Sequence, residues 1–241
     1  MTTEMQEWNG SRWDYTRSRS QWHFNTKRPP TSGLDSYTTI CKFQTNFEDA
    51  IAQCMTKAVD STWSSRNKEK VQGELYSANA EEQDLIRAGA DPKQEIFARA
   101  MAGDIEVFKK ISDWLGVEDA MITFHNQRTG QMLHTHIDNF AGRKERQNSF
   151  VETDLDRNPQ QMRRFVIMLR DWELGQIFQV GNANWTQWIA GECITWEWQD
   201  MPHSTANMGW HDRPMLQITG YVTERTKEIL EKADKYKLVH L

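Results

Sequence analysis

Two histidines and one aspartate are spaced in this sequence so that they can bind a single metal ion. His136 and Asp138 lie two positions apart at the end of an expected β-strand, and side chains two positions apart in a strand point to the same face. His203, in the segment DMPHSTAN, is expected to complete the set from elsewhere in the fold. Two imidazoles and one carboxylate suit iron(II) and leave three coordination positions open for other molecules.

An arginine that follows this set can hold the far end of an acidic molecule. Arg213 lies ten residues after His203, at the start of the expected strand PMLQITGYV. A dicarboxylic co-substrate needs a fixed cation for its distant carboxylate, and the planar guanidinium provides a two-pronged fit that lysine cannot. The combination predicts an iron(II) site that takes an organic acid and O₂.

The elements that must position these side chains are mostly short strands. After Gly116 the sequence becomes rich in β-branched and aromatic residues, and glycines separate the segments. Strands are expected within residues 121–127, 131–138, 163–170, 175–181, 184–190, 192–198 and 214–222, with a turn at Arg128-Thr129-Gly130. Many short strands at this spacing indicate a sandwich, a barrel or a jelly roll.

Helical signals precede these strands. A helix is expected over residues 45–63, with Asn46 as its cap. The pair Asp91-Pro92 is typical of a helix start, because proline is tolerated in the first turn. Asp104 is expected to cap a further helix, which ends at Gly116 because glycine readily closes a helix.

The predicted fold is mainly β with α additions, a double-stranded β-helix (jelly roll, cupin-like) between N-terminal helices and a C-terminal helix that opens at Thr223. Three of the 11 tryptophans fall before residue 37, where they can pack on the main domain or on a second subunit, so a homodimer stays open. The expected organisation is an irregular arm (1–37) followed by one domain (38–241), with a helical part (38–116), the β-helix core (117–222) and the last helix (223–236).

Charge and cysteine content exclude several classes of function. The net charge is −5, so the basic footprint of a nucleic-acid-binding protein is missing and nucleic acid is not expected as a partner. Cys41, Cys54 and Cys193 have no metal-site spacing and indicate free thiols in a reducing compartment. Neither a signal peptide nor a run of about 18 apolar residues is present, so we expect a cytoplasmic protein without a membrane span.

Over residues 117–222 the chain resembles the 2-oxoglutarate/Fe(II)-dependent dioxygenase superfamily, whose members carry an HxD pair, a distal histidine and an arginine about ten residues later. The corresponding residues here are His136, Asp138, His203 and Arg213. The resemblance implies Fe(II) as cofactor, 2-oxoglutarate and O₂ as co-substrates, and hydroxylation of a C–H bond with release of succinate and CO₂. The substrate would be an amino acid, a peptide or protein side chain, or a small metabolite.

Three further motifs are similar to the aspartyl/asparaginyl β-hydroxylase-like branch of that superfamily. They are the run RRFVIMLRDWELGQIFQVGN, Trp188-x-x-Gly191 and Pro202-His203. This likeness makes Arg164 a candidate second contact to 2-oxoglutarate.

One position departs from the family pattern. Many members have serine or threonine two residues after the arginine, as a second hydrogen-bond donor to the carboxylate, whereas this chain has Met215. The second donor is then expected from Gln217, Tyr221 or Arg164, or the co-acid is a different one.

The same metal ligands are also compatible with two other kinds of enzyme. A cupin-like metal enzyme that uses no 2-oxoglutarate would keep the three ligands without needing the arginine. A metallo-β-lactamase-like hydrolase is suggested by the HxHxD string, but Asn139 stands where that motif has histidine. Candidate substrate contacts are His134, Asn139, Arg143 and Trp196, and residues 140–162 are expected to form a mobile insertion over the site that orders on substrate binding.

Overall fold

The computed structural model of the protein describes residues 37–62, 86, 91–136, 138, 161–181, 183–196 and 201–241. The expected arm before Tyr37 and the insertion up to residue 160 lie outside these ranges. The strands are β1 (Tyr37–Gln44), β2 (Val59–Thr62), β3 (Glu95–Met101), β4 (Glu118–Gln127), β5 (Met132–His136), β6 (Met162–Met168), β7 (Gln176–Val180), β8 (Ala183–Trp185), β9 (Glu192–Trp196), β10 (His203–Asn207), β11 (Arg213–Tyr221) and β12 (Leu238–His240). The helices are α1 (Glu48–Met55), α2 (Glu106–Leu115) and α3 (Glu224–Glu231).

The strands form two sheets that face each other. The larger sheet has the order β12-β1-β9-β6-β11-β4-β3-β2, and the smaller sheet has the order β5-β10-β7-β8. From β4 to β11 the chain passes repeatedly from one sheet to the other, and the pairs within this core are antiparallel. This wrapping is the double-stranded β-helix, which confirms the predicted fold.

Both faces of the larger sheet are covered, and strand β11 illustrates why. All nine of its residues are buried. Leu216 and Ile218 belong to an apolar cluster that includes Phe108 and Leu115 of α2, whereas Met215 belongs to a second cluster inside the barrel. Alternation along the strand therefore sends odd-numbered residues, Arg213 among them, towards the smaller sheet.

The predicted helical part, residues 38–116, is wrong in its content. It contains strands β1, β2 and β3 as well as α1 and α2. The helix expected over 45–63 is confirmed only as far as Met55, because Val59–Thr62 pairs with β3 at the sheet edge.

The helix start predicted at Asp91-Pro92 is also wrong. Residues 95–101 form strand β3, in which Ala98 pairs with Asn126 of β4. The segment EIFARAM contains good helix formers, but a helix of this length is marginal on its own. Pairing with β4 supplies backbone hydrogen bonds and buries the apolar side chains. This tertiary pairing therefore outweighs the helix propensity of the segment.

The second helix follows its prediction more closely. Gly116 closes α2 in the left-handed region at φ +67°, as expected. Asp104, however, does not cap it, since Ile105 occupies the cap and the carboxylate of Asp104 accepts from Lys57 Nζ at 2.5 and 2.7 Å.

The last helix starts as predicted and ends early. Thr223 and Thr226 form a reciprocal capping box, but α3 ends at Glu231 and not at residue 236. The chain then returns as β12, parallel to β1. No helix in the described ranges is long and apolar enough to cross a membrane.

Candidate metal centre

The three predicted metal ligands come together inside the barrel. His136 ends β5, His203 begins β10, and the two are paired across the smaller sheet. Asp138 lies just beyond β5, and all three residues are buried, with exposures of 7%, 4% and 5%. Their ligand atoms lie within 4.8 Å of one another. His136, Asp138 and His203 can therefore hold one metal ion.

The distances around Asp138 are compatible with one shared metal ion. His136 Nε2 lies 3.9 Å from Asp138 Oδ1, and His203 Nε2 lies 3.7 Å from Asp138 Oδ2. Metal–ligand bonds of about 2 Å place donor atoms roughly 3 Å apart, so small side-chain adjustments complete the set. Two nitrogens and one carboxylate on one side of an ion leave the other side accessible, which suits iron(II).

A bulge in β5 orients the first histidine. His136 pairs with His203, but Leu133 pairs with Thr205, so β5 has one more residue than β10 over the same length. The Nδ1–H of His136 donates to the carbonyl of His134, within the bulge, at 2.8 Å. Because a carbonyl only accepts, the lone pair of His136 lies on Nε2, the atom that faces Asp138.

The other histidine has a similar backbone partner. His203 Nδ1 donates to the carbonyl of Met201 at 3.3 Å. Its ring also packs against the ring of His136, with centroids 4.3 Å apart. Both imidazoles thus present Nε2 to the same point.

Arg164 reaches Asp138 from the larger sheet. Its Nη1 donates to Asp138 Oδ1, and its Nε donates to Thr219 Oγ1 at 3.1 Å. The amide oxygen of Gln217, when turned towards Arg164, accepts from the same guanidinium. Arg164 therefore fixes one of the three candidate ligands, and its predicted contact to 2-oxoglutarate stays a prediction.

Arg213 is a buried cation on the inner face of β11, only 2% exposed. Its Nη2 donates to Gln127 Oε1, and its Nη1 donates to the carbonyl of Ile177 at 3.4 Å. The guanidinium carbon lies 5.8 Å from the Phe178 ring and 5.9 Å from the Trp188 ring.

The charge of Arg213 is not neutralised by these contacts. They are an amide, a carbonyl and two aromatic faces, and in the described part of the chain its Nε has no hydrogen-bond partner. Burial lowers the pKa of Arg213 to about 9, so it is still a cation at neutral pH. A buried cation without a counter-charge is costly, and an anionic ligand would offset that cost.

Aromatic side chains pack beside the candidate metal ligands. The Trp196 ring lies 4.8 Å from that of His203 and 5.7 Å from that of Phe178. Among the described residues, no acceptor meets the buried indole N–H of Trp196. Trp196 thus packs against the candidate ligand His203, and its predicted contact to a substrate stays a prediction.

The remaining predicted site residues are placed as follows. His134 is half-buried on the bulge of β5, next to the site but outside the group of three ligands. Asn139 and Arg143 lie outside the described residues. Sequence reasoning missed Gln127 and Thr205, which face the barrel interior from β4 and β10, because neither belongs to a recognisable motif.

Comparisons with known proteins concern the fold. No protein-family model matches the chain, and no curated protein sequence matches it. Among solved structures, a prolyl-4-hydroxylase from Pseudomonas putida is 14% identical with a TM-score of 0.38, over 72% of this chain and 98% of that one. A predicted oxalate decarboxylase from Thermotoga maritima is 13% identical with a TM-score of 0.33, over 54% and 84%. A sugar phosphate isomerase of the cupin superfamily from Silicibacter pomeroyi is 8% identical with a TM-score of 0.33, over 53% and 60%.

Proposed function

We propose that the protein is a 2-oxoglutarate-dependent Fe(II) oxygenase that hydroxylates a C–H bond. The observation that carries this proposal is the placement of two features in one barrel. His136, Asp138 and His203 offer an iron(II) ligand set, and Arg213 offers a buried cation on the opposite sheet, with no counter-charge among its contacts to the described residues. A molecule with a metal-chelating end and a distant carboxylate suits both features.

Each group of residues has a distinct task. The three ligands would hold iron(II), which together with 2-oxoglutarate and O₂ supplies the oxidation, with succinate and CO₂ as co-products. Arg213 would bind the far carboxylate of 2-oxoglutarate. Arg164 keeps Asp138 in place, and Phe178 and Trp196 exclude water from the metal side of the cavity.

The buried arginine separates this proposal from its main alternative. A cupin-like metal enzyme without 2-oxoglutarate would use the same three ligands, but a buried guanidinium facing Phe178 and Trp188 would then have no anion to bind. The substrate class that we propose is an amino acid, a peptide or protein side chain, or a small metabolite.

Anaerobic titration of the metal-free protein with Fe(II) and then 2-oxoglutarate tests the proposal. We expect a weak metal-to-ligand charge-transfer band in visible absorbance. The band should be lost in His203→Ala and retained in His211→Ala, because His211 is an exposed residue that bonds Glu173 at 2.8 Å.

A third variant distinguishes the proposed oxygenase from a cupin-like metal enzyme that uses no 2-oxoglutarate. Arg213→Met should keep iron binding and lose 2-oxoglutarate binding. Tight iron binding without a band in the wild-type protein would favour the cupin-like enzyme, and a wild-type protein that binds no iron would refute the proposed function.

A further inference from the structure

The far carboxylate of a diacid needs more than one hydrogen-bond donor in a buried site. Arg213 supplies the charge, but Met215, two residues later on the same face of β11, has no donor. A carboxylate has about four lone-pair positions, and each one left without a partner in a buried site costs free energy. The barrel should therefore contain a second donor close to Arg213.

The donors expected from the sequence lie further along the barrel. On β11, Gln217 and Tyr221 are four and eight residues from Arg213, which is about 13 and 26 Å along a strand. Arg164 pairs with Thr219, six residues from Arg213, and its guanidinium contacts Asp138. These positions belong to the metal side of the cavity and to the far end of the strand.

Thr205 lies at the level of the barrel that the Arg213 guanidinium reaches. It is directly paired with Phe178, the residue whose ring lies 5.8 Å from the guanidinium carbon of Arg213. Directly paired residues share a face, with Cβ atoms about 5 Å apart. The neighbouring pair is Ile177 with Ala206, and the carbonyl of Ile177 accepts from Arg213. The side chain of Thr205 therefore shares the inward face of the smaller sheet with Phe178, which is the part of that sheet that the Arg213 guanidinium reaches.

The hydroxyl of Thr205 is available for a ligand. The residue is 3% exposed, and its buried Oγ1 has no hydrogen-bond partner within the described ranges. The Nε of Arg213 is likewise buried and has no hydrogen-bond partner among the described residues. Both donors belong to residues around Phe178, and one of them is on a cation, so together they suit one carboxylate group.

The spacing along β10 matches the length of the expected acid. Thr205 and the metal ligand His203 point inward two residues apart, about 7 Å along the strand. The carbon chain of a five-carbon diacid spans roughly 5 Å, given C–C bonds of about 1.5 Å. A molecule chelated at the metal by one end would bring its far carboxylate to the level of Thr205.

We propose that Thr205 is the second donor to the far carboxylate of 2-oxoglutarate and, with Arg213, makes the site select a diacid over a monoacid. This inference rests on the proposed function and deepens it. In this site, a threonine on β10 does what a serine or threonine on β11 would do at the position of Met215.

Calorimetric titration of the anaerobic Fe(II)-loaded protein tests this proposal with two acids. 2-Oxoglutarate has the far carboxylate, and 2-oxobutyrate has the same keto-acid end without it. Thr205→Val keeps the shape and the β-branching but removes the hydroxyl. We expect it to weaken 2-oxoglutarate binding about 10- to 100-fold, the usual effect of a hydrogen bond to a charged group.

The controls are built into the same experiment. Thr205→Val should bind 2-oxobutyrate and Fe(II) within about twofold of the wild-type protein, and Thr205→Ser should bind 2-oxoglutarate within a few-fold. Thr205→Ala repeats the test if the valine variant does not fold.

Equal 2-oxoglutarate affinity in Thr205→Val and wild type would overturn the assignment of Thr205 alone. Equal losses for both acids would also overturn it, since they would indicate a structural role. A wild-type protein that binds Fe(II) but no 2-oxoglutarate would overturn the proposed function and this inference together.

Discussion

Asp138 is held by an arginine while it faces two histidines, and this arrangement explains how a ligand beyond the end of a strand is kept in place. Strand β5 ends at His136, so backbone pairing does not extend to Asp138. The side chain of Arg164, anchored to Thr219, takes over that task from the larger sheet. Partners of this kind orient metal ligands and tune the affinity of the site.

Replacing Arg164 by lysine should lower the affinity for Fe(II) about 10- to 100-fold. Lysine keeps the positive charge, so the electrostatic environment changes little, but it cannot bond Asp138 and Thr219 at once with a planar group. Competition with a chelator under anaerobic conditions measures the affinity. The neighbouring Arg163→Lys, on the opposite face of β6, is the matched control, and equal affinities in the two variants would contradict this role.

The sequence was sufficient to predict residues whose type and spacing form a motif. His136, Asp138, His203 and Arg213 were identified in this way, and the structure brings the first three together and places the fourth inside the same barrel. Gln127 and Thr205 could not be predicted, because their contacts arise from strand pairing and from the approach of two sheets. In a single sequence, a threonine outside any motif gives no indication of a functional role.

The turn between β8 and β9 depends on a single glycine. Gly191 has φ +89°, a region that side chains rarely adopt. Its N–H donates to the carbonyl of Met168 at 2.7 Å, and its own carbonyl accepts from the N–H of Phe43 at 2.9 Å. A Cβ at this position would collide with the carbonyl of Phe43. The turn therefore joins β1, β6 and β9 where no side chain fits.

Gly191→Ala should destabilise the protein by about 3 kcal/mol or more, because backbone strain and a backbone collision add. Urea unfolding, followed by tryptophan fluorescence, measures the change. Gly103→Ala is the matched control, since a Cβ there meets nothing within 4 Å, and it should be neutral or slightly stabilising. Similar midpoints for the two variants would show that the turn can rearrange.

Elements with an amphipathic pattern and a clear end signal were predicted better than strands whose conformation depends on pairing with neighbouring strands. Helix α2 has Phe108, Ile111 and Leu115 on one buried face and Gly116 at its end, so the sequence contains all the information. Strand β3 is different, because its helix-forming residues become extended only when β4 is beside them. Strand β10 was missed for a similar reason, since HSTAN has little β-preference and pairs with β5 and β7 on both sides.

The molecule as a whole should become more stable when the site is filled. If the proposed function holds, metal and co-acid bind only the folded barrel, and at about 100 times its dissociation constant each should add about 2.7 kcal/mol to the free energy of unfolding. For a protein of 241 residues this corresponds to a rise in Tm of roughly 5–10 °C per ligand. Differential scanning fluorimetry under anaerobic conditions measures it.

Two variants separate the contributions to this rise. His203→Ala should lose the shift caused by Fe(II), and Arg213→Met should keep that shift and lose the further one caused by 2-oxoglutarate. A Tm rise that persists in His203→Ala would place the stabilising metal elsewhere on the protein.

The division of the site between the two sheets has a mechanical consequence. The metal ligands belong to the smaller sheet and the segment that follows β5, whereas Arg213 belongs to the larger sheet. The proposed diacid, bound to both, would link the two sheets across the barrel, at a level where they otherwise meet through packed side chains. Spontaneous separation of the sheets would then have to break ionic bonds, and hydrogen exchange at the amides of β7 and β10 should slow most.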